Sequence, residues 1–169
     1  MKIHDGFVNV YSELGKGSTF KVYLPAMEIR SEARKQKSGK TNLPRGNGQT
    51  ILVVDDEVSI LSITSQTLQA FGYQVMTALN GADALAIYVQ HKDEIAVVLT
   101  DMMMPIMDGA ATVQALMRVN PAVKIIAASG LAANGGAVKE SGRGIKRFVT
   151  KPYTAETLLT AIRAILDET

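Results

Sequence analysis

A chain of 169 residues suffices for one domain of ordinary size plus an appendage, and a hydrophobic share of 47% can bury a real core. The absence of cysteine excludes disulfides and thiolate metal sites, and no run of about 18 apolar residues offers a membrane span. The net charge of +2 hides two unlike parts: residues 1–48 hold nine Lys/Arg against four Asp/Glu, and residues 49–169 hold nine against twelve.

Phe7 to Ser12 alternates apolar and polar residues, and Phe20 to Leu24 does so again. Glu13 to Thr19 lies between them and carries Gly15 and Gly17, which predicts a β-hairpin closed off by Pro25. A lone hairpin is marginal in water, so this one needs a surface to lie on, and its open strand edges offer a dimer contact. The Gly15-Lys16-Gly17 spacing is a loop turn rather than a phosphate loop. Residues 28–49 hold six Lys/Arg and no aromatic residue, with Ser38-Gly39, Pro44, Gly46 and Gly48 near the end. That composition predicts a basic, flexible linker. Without interleaved aromatics for base stacking, it does not read as a nucleic-acid site.

From Thr50 the pattern becomes regular. Ile51 to Val54 is an apolar run that ends in Asp55-Asp56-Glu57. Ile60, Ile63, Thr64, Thr67, Leu68 and Phe71 then recur at helical spacing, with Ile60, Ile63, Leu68 and Phe71 as the core stripe, and Gly72 stops the helix. Leu61 falls off that stripe and is expected to be exposed beside Asp56. Tyr73 to Ala78 is a short strand, and Asn80-Gly81 opens a second helix. Ile95 to Thr100 is a strand that ends at Asp101. A third helix spans Ala110 to Val119, and Val123 to Ala128 is a strand ending at Ser129-Gly130. A weak helix is expected within 132–142, diluted by Gly135 and Gly136, in a segment 130–144 expected to move. Arg147 to Thr150 is the last strand, ending in Lys151-Pro152. Thr154 caps a final helix whose apolar face is Leu158, Ile162, Ile165 and Leu166.

Strand and helix alternate five times, and the strands are short and apolar. That predicts an α/β fold, a parallel sheet with helices on both faces. Such a sheet delivers its strand C-termini to one edge, where chemistry is usually sited. Asp55 and Asp56 end the first strand of this sheet, Asp101 the third, Ser129 the fourth and Lys151 the fifth. Each alone has a plainer reading: a helix cap, a favourable dipole charge, a surface lysine. Together, three crowded carboxylates call for a cation, and hard oxygen donors without His or Cys suit Mg²⁺. Asp101 could accept a phosphoryl group as an acyl phosphate. Lys151 would neutralise charge on the transferred group, and Ser129 could donate a hydrogen bond to it.

The motifs Ile51-Leu52-Val53-Val54-Asp55-Asp56-Glu57, Leu99-Thr100-Asp101 through Met107-Asp108-Gly109, Ala128-Ser129-Gly130 and Phe148-Val149-Thr150-Lys151-Pro152-Tyr153 occur in order. With them, residues 50–169 resemble the receiver domain of two-component response regulators. The resemblance implies a flavodoxin-like (βα)5 doubly wound sheet with strand order 2-1-3-4-5, with the hairpin as an N-terminal appendage. It implies that Asp101 is the phosphoacceptor and Asp56 a direct Mg²⁺ ligand, with Asp55 acting nearby or through water. The backbone carbonyl of Met103 would complete the site. Ser129 and Phe148 match the hydroxyl and aromatic switch pair, and Lys151-Pro152 matches the usual cis peptide. Met103 and Leu131 occupy positions that influence how water reaches the acyl phosphate. Neither side chain can orient a water, which implies slow loss of the phosphoryl group. An exposed Leu61 would serve as part of a docking patch for the phosphodonor helix.

The hairpin, Phe7 to Pro25, resembles the last glycine box and closing strands of a histidine kinase ATPase domain. The rest of that domain's motifs are not in the chain, so the chain is not expected to bind ATP. The resemblance implies the C-terminal part of a hybrid sensor histidine kinase, with residues 1–27 a remnant of its ATPase domain, 28–49 the linker and 50–169 the receiver. The expected donor is the phosphohistidine of a histidine kinase, with a histidine phosphotransfer domain as a further partner. Neither nucleic acid nor membrane contacts are expected of this segment. The expected location is the cytoplasm, with a parent that a membrane could anchor. Two other readings stay open beside this one: a receiver-like scaffold that is never phosphorylated, and a phosphatase of the haloacid-dehalogenase kind. The second needs an acid two residues after its nucleophile, where this chain has Met103.

Overall fold

The computed structural model describes residues 7–23, 43–130 and 144–168, which belong to two separate units divided between Thr41 and Asn42. The predicted weak helix, Leu131 and Pro25 lie outside the described residues.

The first unit contains β1 (Phe7–Glu13) and β2 (Gly17–Tyr23), paired antiparallel from Phe7↔Tyr23 to Glu13↔Gly17. The strands run longer than the alternation suggested, because the loop is only Leu14 to Lys16. Gly15 and Gly17 adopt φ of +77° and +90°, left-handed values open to glycine at little cost, so they can turn the chain in three residues. Phe7 stacks on Tyr23 with ring centroids 4.6 Å apart. Every residue from Phe7 to Tyr23 is exposed.

The second unit is an α/β sandwich. Its strands are β3 (Thr50–Val54), β4 (Gln74–Ala78), β5 (Ile95–Asp101), β6 (Ile125–Ser129) and β7 (Ile145–Thr150). They pair parallel in the order β4-β3-β5-β6-β7. Numbered within the sheet alone, that order is 2-1-3-4-5, as expected. Four helices are described: α1 (Val58–Ala70), α2 (Gly81–His91), α3 (Gly109–Val119) and α4 (Ala155–Leu166). Successive residues of the central strands bury on opposite faces of the sheet. Ile51, Val53, Val97 and Leu99 join Leu61, Leu68, Leu158, Leu159 and Ile162 on the α1–α4 face. Leu52, Val54 and Val98 join Ala84, Tyr88, Val113 and Leu116 on the α2–α3 face. Each fully buried Leu or Ile contributes about 1.5–3 kcal/mol, so the two layers hold the sheet from both sides.

Local chemistry sets the helix starts. Asn80, Asp108 and Thr154 each accept the backbone N–H of the third residue onward, from Asp83, Ala111 and Thr157. Each such cap is worth about 1 kcal/mol. At α1 the N-cap residue Glu57 makes no side-chain cap bond. Its own N–H instead donates to Asp55 Oδ1 at 3.0 Å, so the acidic pair and the helix start form one piece.

Two expectations need correction. The buried positions of α1 are Leu61, Thr64 and Leu68, whereas Ile63 is 65% exposed and Ile60 only half-buried. Leu61 is therefore a core residue and not a surface one. The inward stripe is shifted because it includes a polar residue, Thr64. The second correction concerns the end of the linker. Gly46 and Gly48 donate to the carbonyls of Phe71 and Gly72, both at 2.9 Å, and the Arg45 guanidinium sits 5.6 Å from the centre of the Phe71 ring. Leu43 packs on the α1–α4 core. Gly46 lies flat on Tyr73, where a Cβ would come within 2.5 Å of the ring. Residues 43–49 thus form a strap fastened to the α1–β4 corner.

Candidate phosphoryl-transfer site

All five strands of the sheet run parallel, so their C-terminal ends share one edge. Asp55 and Asp56 follow β3, Asp101 and Ser129 end β5 and β6, and Lys151 follows β7. The structure brings the three aspartates together: one carboxylate oxygen from each lies within 4.8 Å of the others. Asp55 and Asp101 are buried, and Asp56 is exposed. Lys151 joins them, its Nζ 2.6 Å from Asp55 Oδ2 and 2.8 Å from Asp101 Oδ2. The other oxygens of Asp55 and Asp101 also have donors. Asp55 Oδ1 accepts from the Glu57 N–H, and Asp101 Oδ1 from the Met103 N–H at 3.3 Å.

Burial pulls the Lys151 ammonium toward losing its proton. Hydrogen bonds and charge from Asp101 and Asp55 outweigh that, and its pKa is raised above the ordinary lysine value. The site therefore keeps a full positive charge against two carboxylates at neutral pH. Hard oxygens crowded within this span fit a small divalent cation such as Mg²⁺, with Asp56 open to solvent to share it with water.

Ser129 is 8% exposed, and its carbonyl accepts the Lys151 N–H at 2.7 Å. Phe148 is 48% exposed, on the same strand that delivers Lys151. The Met103 side chain is 79% exposed, two residues past Asp101. Lys151-Pro152 is a cis peptide, as expected. In the same loop as Met103, Ile106 adopts φ of +70°, a left-handed conformation that strains a β-branched residue.

Comparison with known proteins gives the family and the fold. The profile of the response regulator receiver domain matches residues 51–163. The chain belongs to the response regulator receiver family. A crystal structure of a receiver domain protein from Clostridium thermocellum superposes with a TM-score of 0.66 at 30% identity, covering 70% of this chain and 94% of that one. The chemotaxis protein CheY4 of Vibrio cholerae gives 0.63 at 31% identity, over 70% and 98%. The sensor kinase CckA of Brucella abortus is 32% identical over 169 residues, which is 96% of this chain and 18% of that protein. The receiver fold and the two-component signalling class follow from these likenesses. This chain spans less than a fifth of the sensor kinase.

Sequence reasoning named Thr64 and Tyr153 separately and missed that they pair. The Tyr153 hydroxyl shares a hydrogen bond of 3.1 Å with the Thr64 hydroxyl. Burial raises the Tyr153 pKa, partly offset by that bond and by the Lys151 charge. The available signal was a threonine at an inward helical position together with a tyrosine just after Lys151-Pro152.

Proposed function

We propose that this receiver is the phosphoacceptor of a phosphorelay, with Asp101 taking a phosphoryl group from a phosphohistidine. The observation that carries this reading is the Lys151 ammonium in contact with both Asp55 and Asp101 beside a third carboxylate. An Asp101 carboxylate oxygen attacks phosphorus, the phosphorus–nitrogen bond breaks, and the imidazole nitrogen leaves with the electron pair. Lys151 meets the negative charge of the transferred oxygens. Asp55, Asp56, Asp101 and the Met103 carbonyl are the residues that would hold Mg²⁺, which when bound neutralises phosphoryl oxygens. The Ser129 hydroxyl then donates to the attached group, and Phe148 follows as the population shifts between two states.

The correction at α1 moves the proposed docking patch for the donor helix. With Leu61 in the core, the exposed apolar side chains are Ile63 and Val58. A groove beside them is lined by Glu57, Ile60, Ile63, Lys151, Pro152 and Tyr153. That groove adjoins the Lys151 side of the site and offers an apolar seat for a helix.

The parent reading is a cytoplasmic part of a hybrid histidine kinase, one that need not itself touch the membrane its parent is anchored in. The likeness to the sensor kinase supports it, because an alignment over 96% of this chain takes in the hairpin as well as the receiver. On this reading β1 and β2 are closing strands of the kinase ATPase domain, and by themselves they also offer a strand edge to a second copy.

The test is incubation with Mg²⁺ and acetyl phosphate followed by intact mass. The expected result is one added phosphoryl group on the wild type and none on Asp101→Asn. An unmodified wild-type chain, or a modified Asp101→Asn chain, refutes the assignment.

A further inference from the structure

Two hydroxyls meet in a place where packing needs neither. Thr64 is 3% exposed, between Leu61 and Leu68 on the inner stripe of α1. Tyr153 lays its ring against the same core. Threonine is a poorer helix former than leucine, and the net gain of a hydrogen bond barely exceeds the desolvation of its partners. A Val and Phe pair would fill the same space. What the hydroxyls add is a fixed connection, 89 positions apart in the chain, between α1 and the corner Lys151-Pro152-Tyr153.

Among the described residues, that corner has few other backbone ties. The Lys151 N–H is bound to the Ser129 carbonyl at 2.7 Å, which fastens it to β6. Pro152 has no N–H to donate. The Tyr153 hydroxyl is therefore a second anchor, and it reaches the helix that begins just after Asp55 and Asp56. The lysine stem leaves the chain at the first anchor, two residues before the second. Its ammonium must reach Asp55 Oδ2 and Asp101 Oδ2 together, at 2.6 and 2.8 Å. Four rotatable carbons give that side chain many other choices.

We infer that Tyr153 is a positioning residue which, through its hydrogen bond to Thr64, holds the Lys151 corner so that the ammonium stands at the phosphoryl site of Asp101. The inference rests on the reading of Asp101 as phosphoacceptor.

The test uses the full chain with Mg²⁺ and acetyl phosphate. Initial rates of phosphoryl gain, the Mg²⁺ concentration giving half the maximal rate, and the melting temperature are measured for wild type, Tyr153→Phe and the double variant Thr64→Val/Tyr153→Phe. Tyr153→Phe should slow the reaction roughly tenfold, as a small misplacement of a charge-stabilising group does. Its half-saturating Mg²⁺ should not change. The double variant leaves no unpaired hydroxyl, so it should regain the wild-type melting temperature and yet remain slow. If Tyr153→Phe reacts at the wild-type rate, or if the double variant regains rate together with stability, the bond is structural only and the inference is overturned. A wild-type chain that gains no phosphoryl group removes the phosphoacceptor reading first and this inference with it.

Discussion

The hairpin and the receiver are written in the same strand alphabet and end differently. On one face of the hairpin, Val8 faces Val22 and Val10 faces Phe20, and these side chains are 40% to 67% exposed. In the receiver, Ile51 and Leu52 point to opposite faces of β3, and both are fully buried. The difference is not hydrophobicity but layering. The receiver brings its own helices to cover both sides of its sheet, whereas the described residues of the hairpin unit are two strands with no helix of their own. The hairpin's apolar side chains are therefore exposed where those of the receiver's central strands are buried.

The widest gap between the two regions should appear in unfolding by urea. Leu159 is fully buried between α4 and the sheet, so Leu159→Ala should cost about 2–5 kcal/mol of stability. Phe20 is 67% exposed, and Phe20→Ala should change stability by about 0.5 kcal/mol or less. An equal loss at both positions would mean that the hairpin face is packed after all.

Exposure within the receiver has a different meaning, and Met103 tests it. Like Phe20 it is an exposed apolar side chain, but it stands two residues from Asp101. Replacing it with Asn puts a hydrogen-bonding amide where a water could be aimed at the acyl phosphate. The amide orients water without taking its proton, so the gain should stay below the ~100-fold of a general base, at roughly tenfold faster decay. The lifetime of the phosphorylated chain, followed by mass after the phosphodonor is removed, decides it. An unchanged lifetime would assign Met103 to filling space.

The fold was legible because its signals are local or follow from topology. Short apolar runs separated by helical periods suffice to predict a parallel α/β sheet, and that sheet by itself sends Asp55, Asp56, Asp101, Ser129 and Lys151 to one edge. What was not legible depends on partners distant in the chain. The phase of α1 was misread because burial was equated with apolarity. Thr64 is buried with its hydroxyl paired to Tyr153, and Ile63 is exposed although apolar. The strap was read as tether because Pro44, Arg45, Gly46 and Gly48 have the composition of one. Its order comes from the carbonyls of Phe71 and Gly72 and from the flat face of Tyr73. No window of sequence around residue 46 contains those groups.

The smallest expected effect is on the pH dependence of the receiver's stability. Burial raises the pKa of Tyr73, Tyr88 and Tyr153 above the ordinary 10.0, in each case with hydrogen bonds or charges as lesser influences. For Lys151 burial pulls down from 10.5, but Asp101 and Asp55 overcome it and the net shift is also upward. In all four the folded protein retains a proton that the unfolded chain releases first. Stability is therefore fully present below about 10.0 for the tyrosines and 10.5 for Lys151, and it is lost as pH rises through the folded values. All four groups belong to the receiver. The hairpin tyrosines Tyr11 and Tyr23 are 67% and 46% exposed. Denaturation midpoints should fall in the wild type as pH rises past about 10.0. The fall should be shallower in Tyr73→Phe/Tyr88→Phe, because two of the buried protons are then absent from both states. A fall as steep in that double variant as in the wild type would mean that the protons held by Tyr73 and Tyr88 do not set the slope.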